Sequence, residues 1–330
     1  MDTRAGGRLS RIRRPLFFLL SVGLLAILLW KAGVWTILGI LRQSNPSWLL
    51  LAMVFYLAAF VGRTFRFRCL LRQNQAGFHR LWQVVCWHNL CNHLLPARTG
   101  ELSFVYLIRQ RKLDTAVSSL SVLVVSRVID VITVLLFLTI GLLVRPVNVF
   151  GLHPFLLWLL ALLTLISLSA IMFRFSSLFA WLAEKSGPIL RILRIDRISD
   201  KLQEAASEFR RMESGGVYRS GFGWTLVLWA FQFLTFYALM LSFGVFISLW
   251  AVVIGSAAAA LASFVPSATG SFGPLEAGWA LGFALVGVEL RLGLATGFAM
   301  HFVVLGFSTA FAASALLFSV PWPPTRRKTG

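Results

Sequence analysis

The sequence predicts an all-α polytopic membrane protein, and three observations carry that prediction. Hydrophobic residues make up 58% of the 330-residue chain, and its mean hydropathy is +0.80, beyond what a soluble core of this size requires. Several apolar runs approach the ~20 residues that cross a bilayer core. The basic residues, 31 Lys and Arg against 12 Asp and Glu, cluster between alternate runs. About six full spans are expected, with two Pro/Gly-broken helical hairpins, either re-entrant or built of paired short helices, in a candidate inverted repeat. A single membrane domain covers 1–330, with an N-terminal half at about 15–173, a cytoplasmic amphipathic segment at about 174–219 and a C-terminal half at about 220–319.

The first run, 15–30, follows the basic stretch "MDTRAGGRLSRIRR". No small-x-small cleavage pattern follows it, so a retained anchor is expected. The second span, 47–62, ends in "RTFRFRCLLR", which reads as a basic-aromatic helix end with snorkelling side chains. Residues 80–95 and 101–112 flank the break "NHLLPARTGEL". Cys86, His88, Cys91 and His93 lie just before it, but helical spacing sends Cys86 and His88 to different faces, so no metal site is expected. The three cysteines give no disulfide framework.

A long span at 115–144 contains "VSRVIDVI". Arg127 and Asp130 are spaced i, i+3, so they share a helix face. A charge near the bilayer centre costs from ~2.5 to over 10 kcal/mol, so that face must turn to the bundle interior. Another span is expected at 153–173. Beyond it, Ile195, Ile198, Leu202, Ala206, Phe209 and Met212 trace one helical face, which predicts an amphipathic helix on the cytoplasmic membrane surface. Spans at 222–248 and 291–319 enclose the second broken pair, 249–265 with 274–288, around "SFVPSATGSFGPLEAG". His301 reads as a satisfied interior histidine.

Both breaks carry Pro-x-x-Thr-Gly, at Pro96–Gly100 and Pro266–Gly270. Proline cannot donate a backbone hydrogen bond, and Gly100, Gly270 and Gly273 reach backbone angles other residues resist. Irregular backbone at membrane depth must be buried in protein or line a watery cavity. Thr99 suits an N-cap, which places Glu101 in a first helical turn. Gly273-Pro274 suits N-cap and N1, which places Glu276 near N3.

Charge placement predicts the topology. Segments 1–14, 63–80, 96–112, 174–219 and 320–330 hold 26 of the 31 Lys and Arg. Positive residues mark the cytoplasmic side, and with the N-terminus inside, every rich segment falls inside. The two broken pairs then enter from opposite leaflets, as inverted repeats do. Because the basic residues are spread over juxtamembrane loops, no nucleic-acid partner is expected. The sequence has no P-loop, Gly-x-Ser-x-Gly elbow or His-Glu-x-x-His motif, so neither a cofactor nor an enzymatic role is expected.

"NHLLPARTGEL" together with "SVLVVSRVIDVI" resembles the membrane domain of lysylphosphatidylglycerol synthase-type proteins, a flippase-like domain. Asn92, Pro96, Arg98, Gly100 and Glu101 match the family's first break. Arg127 and Asp130 match the span after it, although Ser126 stands where the family has Glu. Pro266, Gly270, Gly273 and Glu276 match the last break, where Pro274-Leu275 replaces the family's Val-Arg. The resemblance implies a multi-pass protein of a prokaryotic cytoplasmic membrane, related to domains that move lipids between leaflets. Two-part members also carry a soluble aminoacyl transferase domain. This sequence ends at "PWPPTRRKTG" without one, so synthesis of a lysyl-lipid is not expected.

The leading expectation is a translocator of a lipid or lipid-linked headgroup whose partners are phosphate-bearing membrane lipids. Its candidate binding residues are Asn92, Arg98, Glu101, Arg127, Asp130 and Glu276, and its backbone breaks are Pro96, Gly100, Pro266, Gly270 and Gly273. Arg98 and Arg127 would attract phosphate, for which a guanidinium has the right geometry. Asp130, Glu101 and Glu276 would balance the arginines or bind a proton or an amine. Two alternatives stand beside it: a non-catalytic membrane partner of a lipid-biosynthetic enzyme, and a secondary carrier for a small organic anion.

Overall fold

The computed structural model describes residues 22–71, 77–96, 99–147, 153–192, 196–214, 216–265, 267 and 272–317, and all regular structure among them is helical. In chain order the helices are α1 Val22–Ala32, α2 Val34–Arg42, α3 Pro46–Leu70, α4 Phe78–Leu94, α5 Thr99–Gln110, α6 Ala116–Val144, α7 Pro154–Ile192, α8 Asp196–Ser214, α9 Val217–Ser242, α10 Leu249–Ala262, α11 Pro274–Ala284 and α12 Leu290–Leu317.

Four of them, α3, α6, α9 and α12, are long and apolar enough to cross a membrane. They correspond to the expected spans 47–62, 115–144, 222–248 and 291–319, although α9 ends at Ser242, short of 248, and 318–319 lie outside the described residues. The other two expected spans fall on α1 and on the start of α7. Part of the first, 15–21, lies outside the described residues, and its helix ends at a 63° bend between α1 and α2. Gly33 sits at that bend with φ 78°, a left-handed conformation that a Cβ disfavours. Counted as one broken span, α1 and α2 would make a fifth crossing. The 153–173 run opens α7, which is apolar over Pro154–Ala170 and continues as helix to Ile192.

The helix starts follow local chemistry. Asn45 caps α3, its Oδ1 accepting from the Ser47 and Trp48 N–H groups at 3.0 and 3.4 Å, with Pro46 at N1. The Asn45 N–H donates to the Ser242 carbonyl at 2.9 Å, and the Ser242 hydroxyl donates back to the Asn45 carbonyl at 3.0 Å. The cap therefore also ties the start of α3 to the end of α9. Asn45→Ala is expected to cost about 1 kcal/mol, read as a drop of a few degrees in the detergent melting temperature.

The architecture repeats. Helices α3–α4–α5–α6 have 25, 17, 12 and 29 residues. Helices α9–α10–α11–α12 have 26, 14, 11 and 28. In each half a long helix is followed by a broken pair and another long helix. Helix α3 packs along α9, α4 packs on α12 and α10 packs on α6. This reciprocal exchange is what a two-fold relation between the halves would produce. At 1.5 Å per residue, α5 and α11 are about 18 and 16 Å long, well short of the ~30 Å hydrocarbon core.

Amphipathic α8 departs from its sequence reading. Its apolar face does not lie free on a membrane surface but packs against α7, α6 and α9. Ala206, Phe209 and Met212 are buried, whereas Ile198 stays exposed, and Ile195 falls outside the described residues. Phe209 meets Phe179 of α7 edge to face at 4.9 Å between ring centres. The protein supplies the apolar surface that the sequence left to lipid.

Candidate functional site

A cavity of about 210 Å³ lies between the halves, walled by α3, α4, α6, α9, α10, α11 and α12. Its walls carry three arginines, Arg63 and Arg66 from α3 and Arg127 from α6, together with Asp130 of α6. The volume holds several waters.

The charges form a chain. Glu101 Oε1 receives Arg127 Nη2 at 3.1 Å. Arg127 Nη1 reaches Asp130 Oδ2 at 3.4 Å, confirming the shared face that the i, i+3 spacing predicts. Asp130 Oδ1 receives Arg66 Nη1 at 2.5 Å and Trp229 Nε1 at 2.9 Å. Both Asp130 oxygens are therefore taken by donors, and its side chain is only 5% exposed. A buried carboxylate needs such donors, because losing water without replacing its hydrogen bonds costs several kcal/mol.

Arg63 is placed differently. It is half-buried, donates to Asn89 Oδ1 and stacks its guanidinium over the Phe60 ring at 5.2 Å. Among the described residues no carboxylate pairs with it. Asn89 is held in turn by Tyr56 and Ser308, its amide donating to them at 3.1 and 3.0 Å. Helices α3, α4 and α12 thus fix one cation at the cavity wall without a paired carboxylate among the described residues.

The Asn92 side chain lines the cavity, and its amide donates to His88 Nε2 at 3.1 Å. An amide NH₂ only donates, so Nε2 accepts and Nδ1 carries the proton toward Ser103 Oγ, 3.3 Å away. Glu276 is fully buried behind the cavity rather than in its wall. Its Oε2 accepts from the Gly273 N–H at 2.7 Å, which places Glu276 at the N3 position expected from the sequence and satisfies the N-cap backbone donor. Its Oε1 meets His301 Nδ1 at 2.5 Å, and His301 does reach the cavity.

Of the backbone breaks, Pro96 is exposed, Gly100 is buried and Gly273 has φ 101°. Pro266 and Gly270 lie outside the described residues, and so does Arg98. Thr99 is the first residue of α5 rather than its cap, and its hydroxyl donates to the Pro96 carbonyl at 2.7 Å. Glu101 still occupies the first turn.

A match to the lysylphosphatidylglycerol synthase TM region covers residues 16–312. This chain belongs to that family. It is also 25% identical to a UPF0104 membrane protein of Pyrococcus horikoshii over 314 residues, 85% of this chain and 90% of that protein. No solved structure matches it. The chain is therefore a multi-pass membrane protein of the lysylphosphatidylglycerol synthase TM region family.

Within this family member, the sequence reading missed Arg63 and Arg66. Both sat in the segment assigned to snorkelling. Arg66 is instead 3% exposed and bound to Asp130. A signal was present: Tyr56, Phe60, Arg63 and Phe67 recur at spacings of four, three and four, one continuous helix face. That face turns inward, and Arg63 goes with it. His88 and His93, read as helix filler, also line the cavity.

Proposed function

We propose that this protein moves a lipid or lipid-linked molecule with a phosphate-bearing headgroup between leaflets, through the arginine-lined cavity. One observation carries the reading: Arg63 faces a cavity at the interface of two like halves with no carboxylate partner among the described residues. A desolvated guanidinium without a counter-ion is a site for an anion, and its planar donor fork suits phosphate oxygens. Arg66 and Arg127 are already held by Asp130, so Asp130 positions the arginines instead of binding an amine. Short helices too brief to cross, repeated in both halves, support alternating access from either side. The charge distribution supports a prokaryotic cytoplasmic membrane orientation with both termini in the cytoplasm.

Purified protein in phosphatidylglycerol vesicles is expected to speed dithionite bleaching of inner-leaflet fluorescent phosphatidylglycerol. Arg63→Gln keeps the fold and Asn89's other partners but removes the charge. It is expected to slow transfer at least tenfold, with an unchanged melting temperature. Wild-type rates in Arg63→Gln would remove Arg63 from the site. Headgroup binding without transfer would favour the alternative of a partner for a lipid-biosynthetic enzyme. Uptake of a soluble organic anion in place of lipid would favour the carrier reading.

A further inference from the structure

The two halves carry a second, less visible correspondence. In α5, Glu101 lies two residues past the helix start and pairs with Arg127 of the next long helix, 26 residues on. In α11, Glu276 lies two residues past the helix start and pairs with His301 of the next long helix, 25 residues on. The repeat thus places one carboxylate–cation pair at each broken hairpin. In the first half the cation is permanent. In the second it is an imidazole, the side chain whose ordinary titration range spans physiological pH.

The local geometry fits a proton site. Glu276 and His301 are 0% and 1% exposed. Glu276 Oε2 accepts from the Gly273 N–H, and with Glu276 ionised its Oε1 accepts from His301 Nδ1. With Nδ1 carrying the donated proton, Nε2 of a neutral imidazole is an acceptor. That Nε2 is buried and has no hydrogen-bond partner among the described residues, although the His301 side chain lines the cavity. Phe272 stacks flat on the ring, 3.9 Å between ring centres and 10° from parallel. The ring therefore stays in place while its open nitrogen changes state.

We propose that Glu276 and His301 form a proton-binding site coupled to anion occupancy of the cavity, which deepens the headgroup reading and rests on it. A proton from cavity water adds to His301 Nε2, forming an N–H bond and leaving hydroxide to the bulk. The pair changes from net −1 to neutral. Removing that negative charge favours an anion at the arginines, and by linkage a bound anion raises the proton affinity of the pair to the same extent. Headgroup and proton are then taken up together, and a proton gradient becomes a driving force for transfer.

The other charges facing His301 are few. From α4, His93 lies 5.4 Å away between ring centres. From α3 and α6 come Arg63, Arg66, Arg127 and Asp130 across the cavity. Helix α9 brings Trp229 and Gln232 to it, and α2 brings no ionisable group to it. His93 is the other imidazole beside His301, so the test separates the two histidines.

The test uses the full chain in nanodiscs, with nitrogen-labelled histidine observed by NMR and the His301 signal assigned by its loss in His301→Gln. Binding of glycerophosphoglycerol, a phosphodiester of constant charge, is measured in parallel at pH 5.5 and 8. We expect the His301 nitrogen signal to report a change of protonation between the two pH values. Phosphodiester affinity should fall about fivefold or more from the lower to the higher pH. That dependence should persist in His93→Gln and vanish in His301→Gln and Glu276→Gln. A His301 signal constant across the range overturns the proton site, using wild-type protein alone. A titrating His301 with pH-independent affinity overturns the coupling, and so does loss of the dependence in His93→Gln only. Absence of phosphodiester binding at both pH values sinks the headgroup reading and the coupling with it, and the NMR titration still decides the proton site.

Discussion

Asp130→Asn is expected to destabilise the protein by about 3–5 kcal/mol, the typical cost of removing one partner from a buried ion pair. Asp130 is 4% exposed and its carboxylate receives Arg66, Arg127 and Trp229. Asparagine keeps the shape but removes the charge that balances Arg66, itself 3% exposed with an Nε that already lacks a partner. The substitution therefore strands a buried guanidinium. Adding Arg66→Gln should recover at least half of the loss, because the guanidinium stranded by the first substitution is then gone. Denaturant titration in bicelles reads both numbers. An Asp130→Asn protein as stable as wild type would show that the pair is solvated in the membrane.

Gly100→Ala is the second large expected effect. A Cβ on Gly100 would sit 2.5 Å from the Cys91 carbonyl oxygen and 2.6 Å from the Asn92 Cα. Both are backbone atoms of α4, so no side chain can swing aside. The hairpin must open, and Glu101, the next residue, moves away from Arg127. A loss of at least about 3 kcal/mol is expected, at the upper end of overpacking costs, together with at least a tenfold drop in lipid transfer. Gly39→Ala in α2 is the control, since a Cβ there meets nothing within 4 Å. That change is expected to be neutral or stabilising by up to about 1 kcal/mol, because alanine favours helix. A Gly100→Ala protein that melts with wild type would mean the two helices of the hairpin do not hold this close approach.

The hairpins explain why part of the site was legible in the residues and part was not. Proline and glycine act on their own backbone, so the breaks near Pro96 and Gly273 could be read without coordinates. The same holds for Arg127 and Asp130, whose three-residue spacing sets their contact on any helix. Glu276 at N3 of α11 was likewise a local matter. Its second oxygen was not: the His301 partner lies on another helix, and nothing in the spacing of either residue announces the other. Arg66 shows the limit most clearly. Its aromatic neighbours fit a snorkelling helix end as well as an inward face, and only Asp130, 64 residues away, distinguishes the two.

Helix α8 makes the same point for apolar surface. Its periodic face required a cover, and lipid and protein are equally good covers in the sequence. Packing against α6, α7 and α9 chose protein.

Residue order by itself determined the membrane class, the helical secondary structure, the two interruptions and the carboxylate that opens a helix after each. These follow from hydropathy and from backbone chemistry, both properties of short segments. Tertiary structure alone decided which arginines meet Asp130, that Arg63 stands at the cavity wall without a paired carboxylate among the described residues, and that His301 closes on Glu276. Those outcomes depend on how α3, α6, α11 and α12 pack, and a charged side chain inside a membrane takes whichever partner that packing brings within reach.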